Sequence, residues 1–260
     1  MLTQGKGLEE MNSSLAMRLV SLADEIGETE LADKLLDHAA SSAEDDLEAG
    51  WAEFEASKRN GDGVSIMIEQ SAKAEQIENG QPLTAAILHH IALLYLASES
   101  FEEARLFVNR SLRIREEIAD KAGRVYGLAV LSACAKSEND FSAAQSIERE
   151  RLSLLEESDD KEGQMEVLAD LAHAHATVGE FDQAIDHLER SLELAKELED
   201  LSGELVARWG LADLAEISER WEDAMLQMSE VLHAFLAVNL PAPKQVRERI
   251  EKLTELNNKG

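Results

Sequence analysis

Residues 161–200 read KEGQMEVLADLAHAHATVGEFDQAIDHLERSLELAKELED. Leu168, Leu171, Ala172 and Val178 recur at the spacing of one helix face. Gly179 is expected to end that helix, because glycine takes a left-handed cap without steric penalty. Phe181, Ala184, Ile185, Leu188 and Leu192 then form a second helical stripe. Asp200 is expected to N-cap the next helix, its carboxylate accepting from free backbone N–H groups. The stretch therefore reads as helix A, a tight turn, helix B and a short link.

The same pattern recurs along the chain. Phe101, Phe141, Phe181 and Trp221 stand 40 residues apart, each followed at the third position by Ala104, Ala144, Ala184 or Ala224. Leu112, Leu152, Leu192 and Leu232 keep the period, as do Ile91, Leu131, Leu171 and Leu211. Asp120, Asp160 and Asp200 are each followed by a glycine three residues on, Gly123, Gly163 and Gly203. So many columns in one register identify an internal repeat, the signature of stacked supersecondary units. The alanine is expected where helices A and B approach closely, with the aromatic filling the wedge beside it.

Clear units span 81–120, 121–160, 161–200 and 201–240. A degenerate one spans 43–79: Ser71 aligns with Ser111 and Ser191, which makes 64–78 a helix B, and Leu47, Trp51 and Phe54 supply its helix A. Its turn, Asn60-Gly61-Asp62-Gly63, has lost the aromatic. Leu15, Leu19, Ala23, Gly27 and Ala32 suggest a divergent first unit over 8–41. Pro241-Ala242-Pro243 breaks the last helix, and 244–256 reads as a polar capping helix of the kind repeat stacks need. A single repeat domain over 1–260 is the expected organisation.

These units resemble tetratricopeptide repeats of the 40-residue variety found in kinesin light chains and bacterial signalling proteins. Leu88, Ile91, Ala92, Tyr95, Phe101 and Ala104 fit the family pattern, as do Leu168, Leu171, Ala172, Gly179, Phe181 and Ala184. Arg208, early in one helix A, and Glu148, in one helix B, depart from it. The resemblance implies an all-α, right-handed solenoid of stacked antiparallel helix pairs, with helix A lining a concave face where partners bind. Carried across, the groove positions are His89, Leu93 and Leu96; then Tyr126 and Lys136; then Glu166 and His173; then Trp209, Asp213 and Glu216. Leu93 and Leu96 also fit a role as ordinary packing residues between helices.

Composition bounds the chemistry. Of 260 residues, 53 are acidic and 25 basic, a net charge of −28, which argues against a nucleic-acid backbone as partner. The single cysteine, Cys134, excludes an internal disulfide and sits in an apolar helix as a small hydrophobe. His173 and His175 lie two apart on one helix and diverge, as do the adjacent His89 and His90, so no metal site is expected. No GxSxG, P-loop, GxGxxG or HExxH motif is present, and no cofactor or catalytic activity is expected. Apolar runs are too short to span a bilayer, and MLTQGKGLEEMNSS has no apolar core of a signal peptide, so a cytoplasmic location is expected.

Charge is uneven: residues 81–150 hold 10 acids and 8 bases, whereas 151–240 hold 22 and 6. One reading is an apolar groove with acidic walls that steer a partner carrying apolar and basic residues. The other is a solvated acidic surface that maintains solubility, as in a halophile. The functional expectation is a non-catalytic adaptor that binds a protein or peptide in the groove. The alternative is a regulatory or sensory repeat module for a signalling peptide or small ligand. Self-repulsion at this net charge makes one outcome testable. The melting temperature should rise with moderate salt, as the Debye length shrinks to about 10 Å at 0.1 M. A fall in a thermal melt series would contradict it.

Overall fold

The computed structural model describes residues 7–258. Residues 1–6, which carry part of the expectation that no signal peptide is present, lie outside the described residues, as do 259 and 260. A short 3-10 turn, Leu8–Glu10, precedes α1 (Ser13–Glu25), α2 (Thr29–Ser41), α3 (Asp46–Asn60) and α4 (Val64–Ala74). The periodic region follows as α5 (Gln81–Ala97), α6 (Phe101–Glu117), α7 (Lys121–Ser137), α8 (Phe141–Glu157), α9 (Lys161–Thr177), α10 (Phe181–Glu197), α11 (Leu201–Ile217) and α12 (Trp221–Ala237). The last helix is α13 (Lys244–Asn257). Among the described residues there is no strand.

Each helix from α5 to α12 has 17 residues, and three residues separate successive members of this series. The junction explains this regularity. Asn79, Glu99, Ala119, Asn139, Asp159, Gly179, Glu199, Glu219 and Asn239 all have positive φ, one every twentieth residue. After α6, the Ala119 N–H bonds to Glu116 O at 3.1 Å and the Asp120 N–H reaches back to Arg115 O at 2.8 Å. These reach-back bonds satisfy two of the carbonyls a helix end leaves free. The same reach-back joins Ser100 to Tyr95, Asp160 to Leu155, Asp200 to Ala195 and Leu240 to Phe235. Asp120 Oδ1 then accepts from the Gly123 N–H at 2.8 Å, and Asp160 Oδ1 from the Gly163 N–H at 2.9 Å. One residue thus closes one helix and caps the next. The glycine cap expected at Gly179 is found there, and at the other turns hydrogen bonding holds Glu, Ala, Asn and Asp in the left-handed region as well.

The periodic glycine at the third position has a steric cause. A Cβ on Gly163 would lie 2.6 Å from Leu155 Cδ2, so the first turn of α9 presses on α8 before it. Ala104, Ala144, Ala184 and Ala224 are fully buried, as their column requires. Helix α4 is shorter than the 64–78 expected, because beyond Ala74 the chain tightens into i→i+3 bonds, Gln76 N–H to Lys73 O at 2.9 Å and Ile77 N–H to Ala74 O at 3.2 Å.

The chain divides into two compact units, Met1–Val130 and Leu131–Gly260, the division falling within α7. In the first unit, α1, α2 and α3 share a core of Ala16, Val20, Leu31, Leu35, Ala39 and Ala52, and α5 packs on α4 and α6. In the second, Ala184, Leu188, Leu192, Ala207 and Leu211 join α10 to α11. Met228, Val231, Val246 and Leu253 join α12 to α13.

The left-handed junctions generate a prediction in both directions. Ala119 is exposed at φ 56°, so Ala119→Gly should raise stability by about 0.5–1 kcal/mol after the entropy of a more flexible unfolded chain is allowed for. Gly179 has φ 81°, and no atom lies within 4 Å of the place a methyl would take. Only the backbone then opposes a side chain, and Gly179→Ala should lower stability by about 1 kcal/mol. Urea unfolding of both variants measures the pair. Opposite signs to these would show that the turns are not left-handed.

Candidate functional site

The face built by helices A in the second unit is organised by charge. Lys136 Nζ lies 3.0 Å from Asp170 Oδ1, bridging α7 and α9. Beneath this pair sits Glu148 of α8, fully buried, with Lys136 at 3.6 Å and Arg151 at 3.4 Å. Arg151 is itself buried and extends to Glu166 at 2.8 Å. Burial pushes the Glu148 carboxyl up and Asp170 adds to the shift, while Ser132, Arg151 and Lys136 pull it back. Lys136 and Glu166, both expected in the groove, are therefore brought into one ion-pair cluster and do not present free charges. Glu148 breaks the apolar pattern of its column because this cluster neutralises it.

One repeat further on, the pair equivalent to Lys136 and Asp170 is Ala176 and Gly210. The bridge is missing, and a pocket of about 280 Å³ opens between α9 and α11. Its floor includes Ala172, Leu188 and Leu214, and its rim includes His173, Val206 and Asp213. Gly210 is held small by Leu188 of α10, whose Cδ1 would be 2.9 Å from a Cβ there. His173 is exposed at this rim, whereas His175, two residues on, is buried and bonds through Nδ1 to Glu180 Oε2 at 2.6 Å.

At the end of the same face, Trp209, Asp213 and Glu216 meet α13. Arg249 Nε bonds to Glu216 Oε1 at 2.6 Å, and its Nη2 to Asp213 Oδ1 at 2.5 Å. The guanidinium stacks over Trp209, 4.9 Å from the ring centre. The chain's own capping helix thus brings a cation to the acidic end of this face, while the Asp213 side chain stays about half exposed. Arg208 is likewise held, by Glu204 at 2.9 Å and Gln227 at 3.0 Å.

In the first unit, Leu93 is 40% exposed and Tyr126 64% exposed, while Leu96 is half-buried. Leu93 therefore leaves part of its side chain open on this face. His89 is largely enclosed. Burial, the Arg115 guanidinium and His90 push its imidazole down to about 4, so it is neutral at pH 7. His90 turns the other way, edge-on to Phe54 at 5.8 Å.

Tetratricopeptide-repeat family models match residues 84–121 and 164–235. These are tetratricopeptide repeats. A search of curated proteins finds no match. Among solved structures, a Signal Transduction ATPase with Numerous Domains protein with a tetratricopeptide repeat sensor, from Pyrococcus horikoshii, superposes with a TM-score of 0.64 and 17% identity over 94% of this chain. The chain spans 37% of the length of that protein. Aspartyl phosphate phosphatase F from Bacillus subtilis gives 0.62 at 14% identity, covering 95% of this chain and 68% of the other. A Rap protein complexed with competence and sporulation factor gives 0.57 at 15%, covering 95% and 75%. At these identities the likeness is one of fold.

The repeat pattern named the helix-A members of this face and left out their partners. Asp170 lies 34 residues after Lys136, and Arg249 lies 33 after Glu216, spacings that carry a bridge from one helix A to the next element of the face. Arg151 and Arg249 were legible only as charges in helices otherwise assigned to core or cap. The buried pair is testable by a double-mutant cycle. Arg151→Leu alone should cost about 3–5 kcal/mol by stranding Glu148, and adding Glu148→Leu should recover most of it. Additive losses in urea unfolding would show that Glu148 and Arg151 are not coupled.

Proposed function

We propose that this chain is a non-catalytic binding scaffold whose repeats hold a protein or peptide segment on the helix-A face of the second unit. What supports the reading most is the missing bridge. Ala176 and Gly210 leave an apolar pocket of about 280 Å³, just under the usual range for ligand pockets, between two charged rungs on one face. A leucine-sized or aromatic anchor fits that pocket. The surrounding stretch, residues 151–240, carries 22 acids against 6 bases, which favours Lys or Arg beside the anchor. His173, Val206, Trp209 and Asp213 are the residues proposed to contact the segment; Leu93 and Tyr126 are proposed as a separate contact patch of the first unit. Lys136 and Glu166 are proposed to frame the site through their ion pairs.

A signalling peptide as the bound segment is the second reading. It is supported by the fold shared with a repeat sensor and with a Rap protein whose structure holds competence and sporulation factor.

Panning a random peptide library against the full chain tests the proposal. Enriched peptides should share an apolar anchor flanked by Lys or Arg. Ala176→Leu, which fills the pocket, should weaken their binding by about 1.4 kcal/mol or more, a factor of ten. Leu226→Ala, at an exposed position on α12, should leave it unchanged. The reverse ranking would move the working surface to helices B.

A further inference from the structure

Two of the residues proposed to contact a bound segment already hold another part of the chain. Trp209 and Asp213 of α11, with Glu216 one turn further on, grip Arg249 of α13. The three stand at i, i+4 and i+7, so they share one stripe of the helix. The guanidinium lies over the Trp209 ring, 4.9 Å from its centre, and donates through Nη2 to Asp213 and through Nε to Glu216. An aromatic face beside two carboxylates suits a planar, permanently charged fork better than the compact ammonium of a lysine. The stripe is a cradle for one guanidinium.

The cradle and the apolar pocket share a wall. Asp213, which accepts from Arg249, also lines the pocket beside Val206 and Gly210. A segment that seats an apolar anchor there and carries an arginine beside it brings a second guanidinium to the same carboxylate. The cradle is open on one side, since the Asp213 side chain is 53% exposed and Trp209 36%. Arg249 is also separable from the docking of its own helix. Val246 and Leu253 are buried in a core with Ala212, Ala215 and Met228, and Ile250 packs beside them. Among the described residues, the ion pairs from α13 to α11 all come from Arg249. Its long side chain can therefore rotate out while the apolar row stays seated.

We propose that Arg249 is an intramolecular competitor, holding the place of an arginine of the bound segment and leaving it when that segment docks. The proposal rests on the second-unit reading above and adds its regulation. It specifies the partner as an apolar anchor next to an arginine. If Arg249 fills the cradle about nine-tenths of the time, the apparent Kd of such a segment is raised about tenfold. A segment with the anchor and no arginine does not use the cradle and binds without regard to Arg249.

The first test titrates N-acetylargininamide into the full chain and into Arg249→Ala, following the Trp209 indole N–H by NMR. The variant should give saturable shifts with a Kd of roughly 1–10 mM, and the unaltered chain should bind about tenfold more weakly. N-acetyllysinamide should bind the variant more weakly than the arginine derivative does. Equal binding by the two chains overturns the proposal, as does no saturable shift in the variant up to about 50 mM. The second test uses those panned peptides that Ala176→Leu weakens. Arg249→Ala should tighten the ones carrying arginine about tenfold and leave their norleucine analogues unchanged. Equal or weaker binding overturns the competitor and leaves the pocket reading standing. If Ala176→Leu affects no panned peptide, the pocket reading fails, and the argininamide titration alone upholds or overturns the competitor. The Leu253 methyl resonances should stay in place in Arg249→Ala. Their displacement would make the whole of α13 the competitor and overturn the assignment to Arg249.

Discussion

A left-handed residue at every twentieth position sets the spacing on which the rest of this structure depends. It ends each helix with two reach-back hydrogen bonds and delivers the next residue directly to a helix N-terminus. The result is a three-residue link and a 17-residue helix, repeated from α5 to α12. Because every helix starts and stops at the same phase, residues 40 apart occupy equivalent places. The left-handed conformation is costly for Glu, Ala and Asp, by about 1–2 kcal/mol each. Carbonyls satisfied at the turn offset that cost, joined after Ala119, Asp159 and Glu199 by an Asp N-cap on the far side.

Equal phase lets small residues be placed where backbones approach. The buried alanines allow helix A to meet helix B, and the glycines after Asp120, Asp160 and Asp200 allow the next helix to begin against the previous one. It also aligns charges. Lys136 with Asp170 and Glu216 with Arg249 bridge successive elements of one face with opposite polarity. Between them the equivalent pair is Ala176 with Gly210, and a pocket takes the place of an ion pair. The same regularity that builds the scaffold thus marks the position where it is interrupted.

In the second unit the repeat is intact and two small residues leave a gap on the helix-A face. The acidic excess of 151–240 is partly neutralised from within. Arg151 and Arg249 each hold two or more carboxylates, so net charge overstates how much bare acid these helices offer.

The period, the helical class and the helix A and B faces were legible in the amino-acid sequence, because they are local. Apolar spacing, the Asp-x-x-Gly starts and the aromatic-x-x-Ala pairs each act within a turn or two of helix. Gly179 was legible as a left-handed cap for the same reason, whereas Glu99, Ala119 and Glu199 were not, since their φ is imposed by hydrogen bonds and no side chain signals it. Partnership across helices lay beyond sequence alone. Glu148 looked like a fault in a core column until Arg151, Lys136 and Asp170 were brought around it. Asp213 and Glu216 were legible as an acidic end of the groove, but not the Arg249 that α13 lays upon them. Tertiary structure decides such matters because a charge is free or spent according to what packs within a few ångströms. For Asp213 and Glu216, that neighbour comes from a helix more than thirty residues away in the chain.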